Sequence, residues 1–227
     1  MKQVPVDDFD LFRRLLVDAD ALLLDFDGPV CSVFAGYPAP VIAAELRTLI
    51  HDAGELPPPE ADANDPHTIL GYAAELSPAL GRQIEAALQA GEIEAAKTAT
   101  PTPGAAELMA TWHATDRPLA IVSNNTTEAI RGYLAAHDLS TYVDHIQGRD
   151  PYDPTLMKPN AHLLTEAAKA LDVDAAYCVL IGDSTTDVQA AHALEVPAIA
   201  YADKPGKHDR LVRAAPALLL TTFTPSC

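Results

Sequence analysis

The run ALLLDFDG, residues 21–28, is four apolar residues closed by two acids and a glycine. An unbroken apolar run of that length, ended by a turn residue, reads as a strand buried on both faces and then a sharp turn. Asp25 and Asp27 lie two apart, so on a strand their side chains point the same way. Where the chain turns at Gly28, the two carboxylates can address one centre from different sides. Two neighbouring acids in different surroundings suit a nucleophile and a proton donor. A pair of turn-forming acids at a strand end would look the same in isolation.

Upstream, DDFDLFRRLLVDAD spaces Phe9, Phe12, Leu15 and Leu16 as one face of a helix. Downstream, from about Cys31 to Thr100, strand signals fade. PAPVIAAELRTLIHDAG, DPHTILGYAAEL and SPALGRQIEAALQAGEIEAAKTA read as helices, each opened by Pro or a small polar cap and rich in Ala, Leu and Glu. The prolines Pro57 to Pro59 break this stretch with a loop. The pattern predicts an all-helical cap inserted over residues 31–100.

After TPTPG the texture alternates. Helices are expected in GAAELMATWHA, TEAIRGYLAAHDL, NAHLLTEAAKALDV and STTDVQAAHAL. Strands are expected in RPLAIVSNN, VDHIQG, AYCVLIGD and VPAIAYA, with APALLL as one more. Strands alternating with helices imply right-handed βαβ units. The expected fold is therefore α/β, with a Rossmann-like, mostly parallel sheet covered by helices on both faces. Residues 1–30 and 101–227 form that core. Ligands of such sheets bind beyond the carboxyl ends of the strands.

The chain of 227 residues suffices for one domain with a smaller insertion, and 48% hydrophobic residues is ordinary for a globular protein. No apolar run approaches the roughly 20 residues that span a bilayer. MKQVPVDDFDLF carries acids where a secretory signal would be basic and then apolar, so a cytoplasmic location is expected. A net charge of -17 argues against nucleic acid as partner, because that affinity comes from Lys and Arg. It permits a small phosphorylated metabolite, provided that a bound cation supplies local positive charge. Cys31, Cys178 and Cys227 form no CxxC pair and are expected to be reduced thiols.

On this map the polar residues gather at one sheet edge. Ser123, Asn124 and Asn125 end the second strand of the core, Asp183 and Ser184 end AYCVLIGD, and Asp187 lies just beyond. Several carboxylates at one edge would repel one another unless a cation joined them, and oxygen-only ligation with room for water and phosphate suits Mg²⁺. Asp183 as a helix N-cap with Asp187 in the first turn is the competing account. Ser123 and the N–H groups after it could hold phosphate oxygens at a helix N-terminus, or simply cap that helix. Lys158 could neutralise a phosphate, or be a solvated loop lysine.

DFDGPV, IVSNN, Lys158 in MKPN and IGDSTTD, in that order, resemble the four motifs of the haloacid dehalogenase superfamily, and TPTPGAAELM resembles its re-entry after a helical cap. The likeness is to the phosphatase branch, phosphoglycolate phosphatases and β-phosphoglucomutases among it. It covers nearly the whole chain. Pro29 departs from the pattern, which usually has Thr or Val after DxDG.

The resemblance implies definite roles. Asp25 attacks phosphorus, and Asp27 protonates the leaving oxygen and later helps deprotonate water. Mg²⁺ sits on the Asp25 carboxylate, the Asp27 carbonyl and the Asp183 carboxylate, with Asp187 acting indirectly. Ser123, the Asn124 backbone and Lys158 bind the phosphoryl group. A monomer or homodimer is expected.

Asp27 argues against dehalogenation, since a halide needs no proton. GxxxxGK[ST], GxSxG and HExxH are missing from the sequence. Specificity is expected from cap residues such as Phe34, Tyr37, His67 and Tyr72, unless these simply pack. Lys97, the one cap lysine, lies at the cap's far end, which disfavours Schiff-base chemistry there. Three readings stay open: a small-molecule phosphatase, a phosphomutase, and a non-enzymatic protein on the same scaffold.

Overall fold

The computed structural model describes residues 4–59, 64–204 and 206–224. Eight strands form along the described chain: β1 (Ala21–Leu24), β2 (Cys31–Ser32), β3 (Thr100–Pro101), β4 (Leu119–Val122), β5 (His145–Gln147), β6 (Cys178–Gly182), β7 (Ala198–Tyr201) and β8 (Leu218–Leu220). Six of them make one parallel sheet in the order β5-β4-β1-β6-β7-β8. The α/β expectation therefore holds. β1 is central, flanked by β4 on one side and β6 on the other, so the crevice where the strand order reverses lies beyond its carboxyl end.

The unbroken ALLL run follows from that position. All four residues of β1 are fully buried, and they divide by parity. Leu22 and Leu24 face one apolar cluster with Ile121 and Ile181, and Ala21 and Leu23 face the other with Val122 and Leu180. Helices cover both faces, so no strand position needs to be polar.

The nine helices of the described residues are α1 (Phe9–Val17), α2 (Ala39–Asp52), α3 (Pro66–Leu76), α4 (Pro78–Ala96), α5 (Ala105–His113), α6 (Thr127–Ala136), α7 (His162–Ala170), α8 (Thr185–His192) and α9 (Lys207–Ala214). Caps set several starts. Asp8, Asp65, Ser77 and Thr126 each accept a backbone N–H of the following first turn. Ile42, Leu46, Ile69, Leu70, Ile84 and Leu88 join α2, α3 and α4 to one apolar cluster.

Two features were not anticipated. β2 and β3 pair antiparallel where the chain leaves and re-enters the sheet, but each is two residues long, too short for a periodic signal. α9 is half charged and buries only Leu211, so its sequence carries too thin an apolar stripe to announce a helix.

Cys31 and Cys178 are buried free thiols, and Cys227 lies outside the described residues. No described helix is long and apolar enough to cross a membrane.

Candidate functional site

β1 delivers Asp25 straight into the crevice. Its backbone N–H donates to the Ile181 carbonyl, continuing the ladder, and its Oδ1 accepts from the Phe26 N–H at 2.7 Å. The Lys158 Nζ lies 3.0 Å from the same oxygen. The chain then turns. Asp27 Oδ1 accepts from the Val33 N–H at 2.9 Å. Gly28 has φ +109°, and a Cβ there would stand 2.3 Å from Asp183 Oδ2. Only glycine satisfies both the backbone angle and the close approach of that carboxylate. Pro29 is buried within this turn, whose N–H donors come from Gly28, Val30 and Cys31. The turn thus forms without the donor that proline lacks.

β6 delivers the second acid group. The N-cap of α8 is Ser184, not Asp183. Asp187 closes a capping box: its Oδ2 accepts from the Asp183 N–H, the Ser184 N–H and the Ser184 hydroxyl, while its Oδ1 sits 2.5 Å from Lys158 Nζ. The helix-cap account therefore applies to Ser184 and Asp187 and leaves the Asp183 carboxylate free to face the crevice. One oxygen from each of Asp25, Asp183 and Asp187 lies within 4.8 Å of the others.

β4 delivers the turn from Ser123 to Thr126. Thr126, rather than Ser123, caps α6. Ser123 is buried, and its hydroxyl donates to Asn125 Oδ1 at 3.2 Å and accepts from the Asn125 N–H at 3.3 Å. The Asn124 side chain grips the backbone of Lys158, accepting its N–H at 2.8 Å and donating to its carbonyl at 3.1 Å. Lys158 is buried, not a solvated loop lysine; its ammonium also donates to the Val122 carbonyl at 2.9 Å.

The electrostatics are those of a site with too much negative charge. Burial raises the Asp25 carboxyl well above its usual range, the Asp187 charge adds to that, and Lys158 opposes it. Burial likewise raises Asp27. It pushes Asp183 up to about 7 even though Lys207 opposes it, with Asp187 adding to the rise. Asp187 goes the other way: burial would raise it, but Lys158 prevails and holds it low. A divalent cation fits this donor set, because carboxylate oxygens raised by burial and mutual repulsion regain their ionised form beside added positive charge.

Asp25, Asp27, Ser123, Asn124, Lys158 and Asp183, but not Asp187, line one cavity of about 400 Å³ with Met157, with Asp65 at the N-cap of α3 and with His67 and Thr68 of that helix. Of the four residues expected to set specificity, His67 is in its wall. Phe34, Tyr37 and Tyr72 pack against the apolar cluster instead; the Tyr37 hydroxyl bonds Glu45 and the Tyr72 hydroxyl bonds the Leu56 carbonyl.

Sequence reasoning missed two groups. Lys207 reaches Asp183 Oδ2 and lies 2.9 Å from Asp203 Oδ1. It follows β7 at the same sheet edge, so the carboxyl-end rule applied to that strand would have found it. Buried Arg149 lies between Glu85 and Glu92 of α4. Its one signal was its place just after β5.

Residues 19–194 match the family model of the haloacid dehalogenase-like hydrolases. A plasmid-encoded phosphoglycolate phosphatase of Cupriavidus necator is 28% identical over 193 residues, covering 78% of this chain and 78% of that protein. CbbY from Rhodobacter sphaeroides, solved with phosphate, has TM-score 0.68 at 17% identity over 90% of this chain and 95% of that one. A β-phosphoglucomutase from Clostridium difficile has TM-score 0.66 at 14% identity over 90% and 91%. At such identities the two solved structures speak for the fold.

Proposed function

The chain belongs to the haloacid dehalogenase-like hydrolases, and from that membership we propose that it is a Mg²⁺-dependent phosphatase, hydrolysing a small phosphomonoester through an aspartyl-phosphate on Asp25. The observation that carries this reading is the meeting of Asp25, Asp27, Ser123, Lys158 and Asp183 in one cavity. The Cupriavidus necator relative acts by name on phosphoglycolate, which makes that ester the first to try.

The metal would be held by the Asp25 and Asp183 carboxylates and the Asp27 carbonyl. Asp187 backs them from behind, because its two oxygens are occupied by Lys158 and the Ser184 cap. When bound, the ion supplies positive charge to the transferring phosphoryl oxygens.

The chain's own residues do the rest. Lys158, 3.0 Å from Asp25 Oδ1, favours the ionised nucleophile and accompanies the negative phosphoryl group into the site. The Ser123 hydroxyl and the Asn124 backbone orient the phosphoryl oxygens. The Asp25 carboxylate attacks phosphorus in line. Asp27, raised by burial and therefore partly protonated at higher pH than a free carboxyl, gives its proton to the departing alkoxide. It then takes a proton from the water that attacks the aspartyl-phosphate. Residues 31–100 act as the cap that excludes bulk water in the first step and brings His67, Asp65 and Thr68 to the substrate's leaving group.

The test is phosphate release from a panel of phosphomonoesters with Mg²⁺, using the wild type and Asp25→Asn. Release by the wild type and none by the variant is expected. Activity surviving in the variant removes the nucleophile assignment. Isomerised sugar phosphate without free phosphate replaces the phosphatase by a mutase, and turnover of nothing leaves a binding protein.

A further inference from the structure

Glu85 and Glu92 lie seven residues apart on α4, two turns along one face, and both are buried, Glu92 completely. Between them Arg149 donates from Nε and Nη2 to Glu85 at 2.8 and 3.0 Å. From Nη1 it donates to the two Glu92 oxygens at 2.7 and 2.8 Å. A buried charge triad of this kind is seldom more stabilising than apolar side chains of the same volume. Fastening α4 to the core does not by itself call for it.

The two glutamates differ in what else they hold. Glu85 has Arg149. Glu92 also accepts from the Asn125 side-chain amide at 3.0 Å on Oε1, and from the Thr126 N–H at 3.0 Å on Oε2. Arg149 itself donates to the Asn124 carbonyl at 2.9 Å. Three successive residues of the Ser123–Thr126 turn are thus fixed by one carboxylate of the inserted helices and its counter-ion. The effect reaches the phosphate ligands. Because the Asn125 NH₂ must face Glu92, its Oδ1 faces Ser123 and sets that hydroxyl. Asn124, held by its carbonyl, grips Lys158 with its side chain. On its other side Glu92 Oε1 meets His67 Nε2 at 3.1 Å, and His67 lines the cavity.

We propose that Glu92, with Arg149, is a positioning residue that makes the phosphate-binding turn depend on the seated cap. It rests on the phosphatase reading in placing phosphate at Ser123 and Lys158. With α4 in place the turn is held on three residues; with α4 withdrawn, Asn125 and Thr126 lose their acceptor and Ser123 its fixed partner. A substrate that engages His67 therefore engages the residue that bonds the carboxylate organising the turn that receives its phosphoryl group.

The test compares Glu92→Gln with Glu85→Gln, which weakens the hold on the same arginine but removes no direct bond to Asn125 or Thr126. Three quantities are read in each full-length protein: melting temperature, affinity for inorganic phosphate by calorimetry, and kcat and KM for p-nitrophenyl phosphate with Mg²⁺. Both variants should melt lower. Glu92→Gln should lose phosphate affinity and kcat/KM by on the order of 100-fold, the scale of a turn displaced by about 1 Å, while Glu85→Gln stays within a few-fold of wild type. Equal losses in the two variants, or wild-type affinity in Glu92→Gln, overturn the proposal. If Glu92→Gln does not fold, Glu92→Asp makes the same comparison, keeping the charge near Arg149 but drawing it back from Asn125 and Thr126. Phosphate binding that separates the two glutamates in a protein without turnover would sink the phosphatase reading and leave the positioning role standing. A wild type that neither binds phosphate nor turns over ends both.

Discussion

Two regions of this molecule bury clusters of charge, and they are built to opposite ends. At the sheet edge, Asp25, Asp27, Asp183 and Asp187 converge on Lys158 and Lys207, and burial still holds three of those carboxyls above their usual range. In the seam between α4 and the core, Arg149 is matched by Glu85 and Glu92, and Glu92 is held down at about 2. The first cluster is short of positive charge, which suits a site that takes up a cation and a phosphoryl group. The second is complete: both oxygens of each glutamate and all three nitrogens of Arg149 are paired within it. Unsatisfied charge marks where chemistry is to happen, and satisfied charge marks what must keep its shape while it does.

The largest effect is expected at Asp25, the proposed nucleophile. Asp25→Asn keeps the side chain's volume and removes the carboxylate that would attack. Phosphate release should fall by at least about 10⁴-fold, as when a nucleophile is removed elsewhere, with the fold intact by circular dichroism. In the seam the largest effect is on stability. Arg149→Met leaves two buried carboxylates without a counter-ion and should cost about 3–5 kcal/mol in denaturant unfolding. A loss below about 1 kcal/mol would show the seam to be wetter than its burial implies.

The seam also predicts an acid limb. Burial would raise Glu92, but the Arg149 charge and the His67 hydrogen bond outweigh it, so its folded value of about 2 lies below the ordinary 4.5. A depressed carboxyl contributes stability that is present above the unfolded value and lost as pH falls through the folded one. Between about pH 4.5 and 2 the protein should lose about 3 kcal/mol on this account, at about 1.4 kcal/mol per pH unit. Glu92→Gln should flatten that part of the stability profile. An unchanged slope assigns it to other carboxyls.

The two clusters were not equally legible. The sheet edge was readable because parallel strands buried on both faces leave unbroken apolar runs, ALLL and AIV, and the acids and Ser123 stand where those runs stop. Lys158 had no such flank and came through the motif order alone. The seam was invisible because Glu85 and Glu92 look like solvent-facing glutamates of an Ala-rich helix; their partner Arg149 is 57 or more residues away. β2 and β3 were too short, and α9 too polar. Between specificity and packing, the two accounts open for Phe34, Tyr37 and Tyr72, the structure favours packing: the rings bury area against the apolar cluster.

The smallest effect tests whether the acid cluster is as short of charge as it looks. Lys207 opens α9 and places its ammonium on Asp183 and Asp203, so one acceptor of the proposed metal already has a resident cation. A divalent ion arriving at Asp25 and Asp183 must share that carboxylate or send Lys207 to Asp203. Either costs affinity, by about 1 kcal/mol for one partly screened pair. Lys207→Met should therefore bind Mg²⁺ roughly fivefold more tightly by calorimetry. Its metal-free form should melt lower, because Asp183 then faces Asp187 with no counter-ion, and Mg²⁺ should restore the loss. Weaker Mg²⁺ binding in Lys207→Met would mean that the lysine supports the metal ligands instead of competing with the ion, and the sheet edge would then be nearer to charge balance than its raised carboxyls indicate.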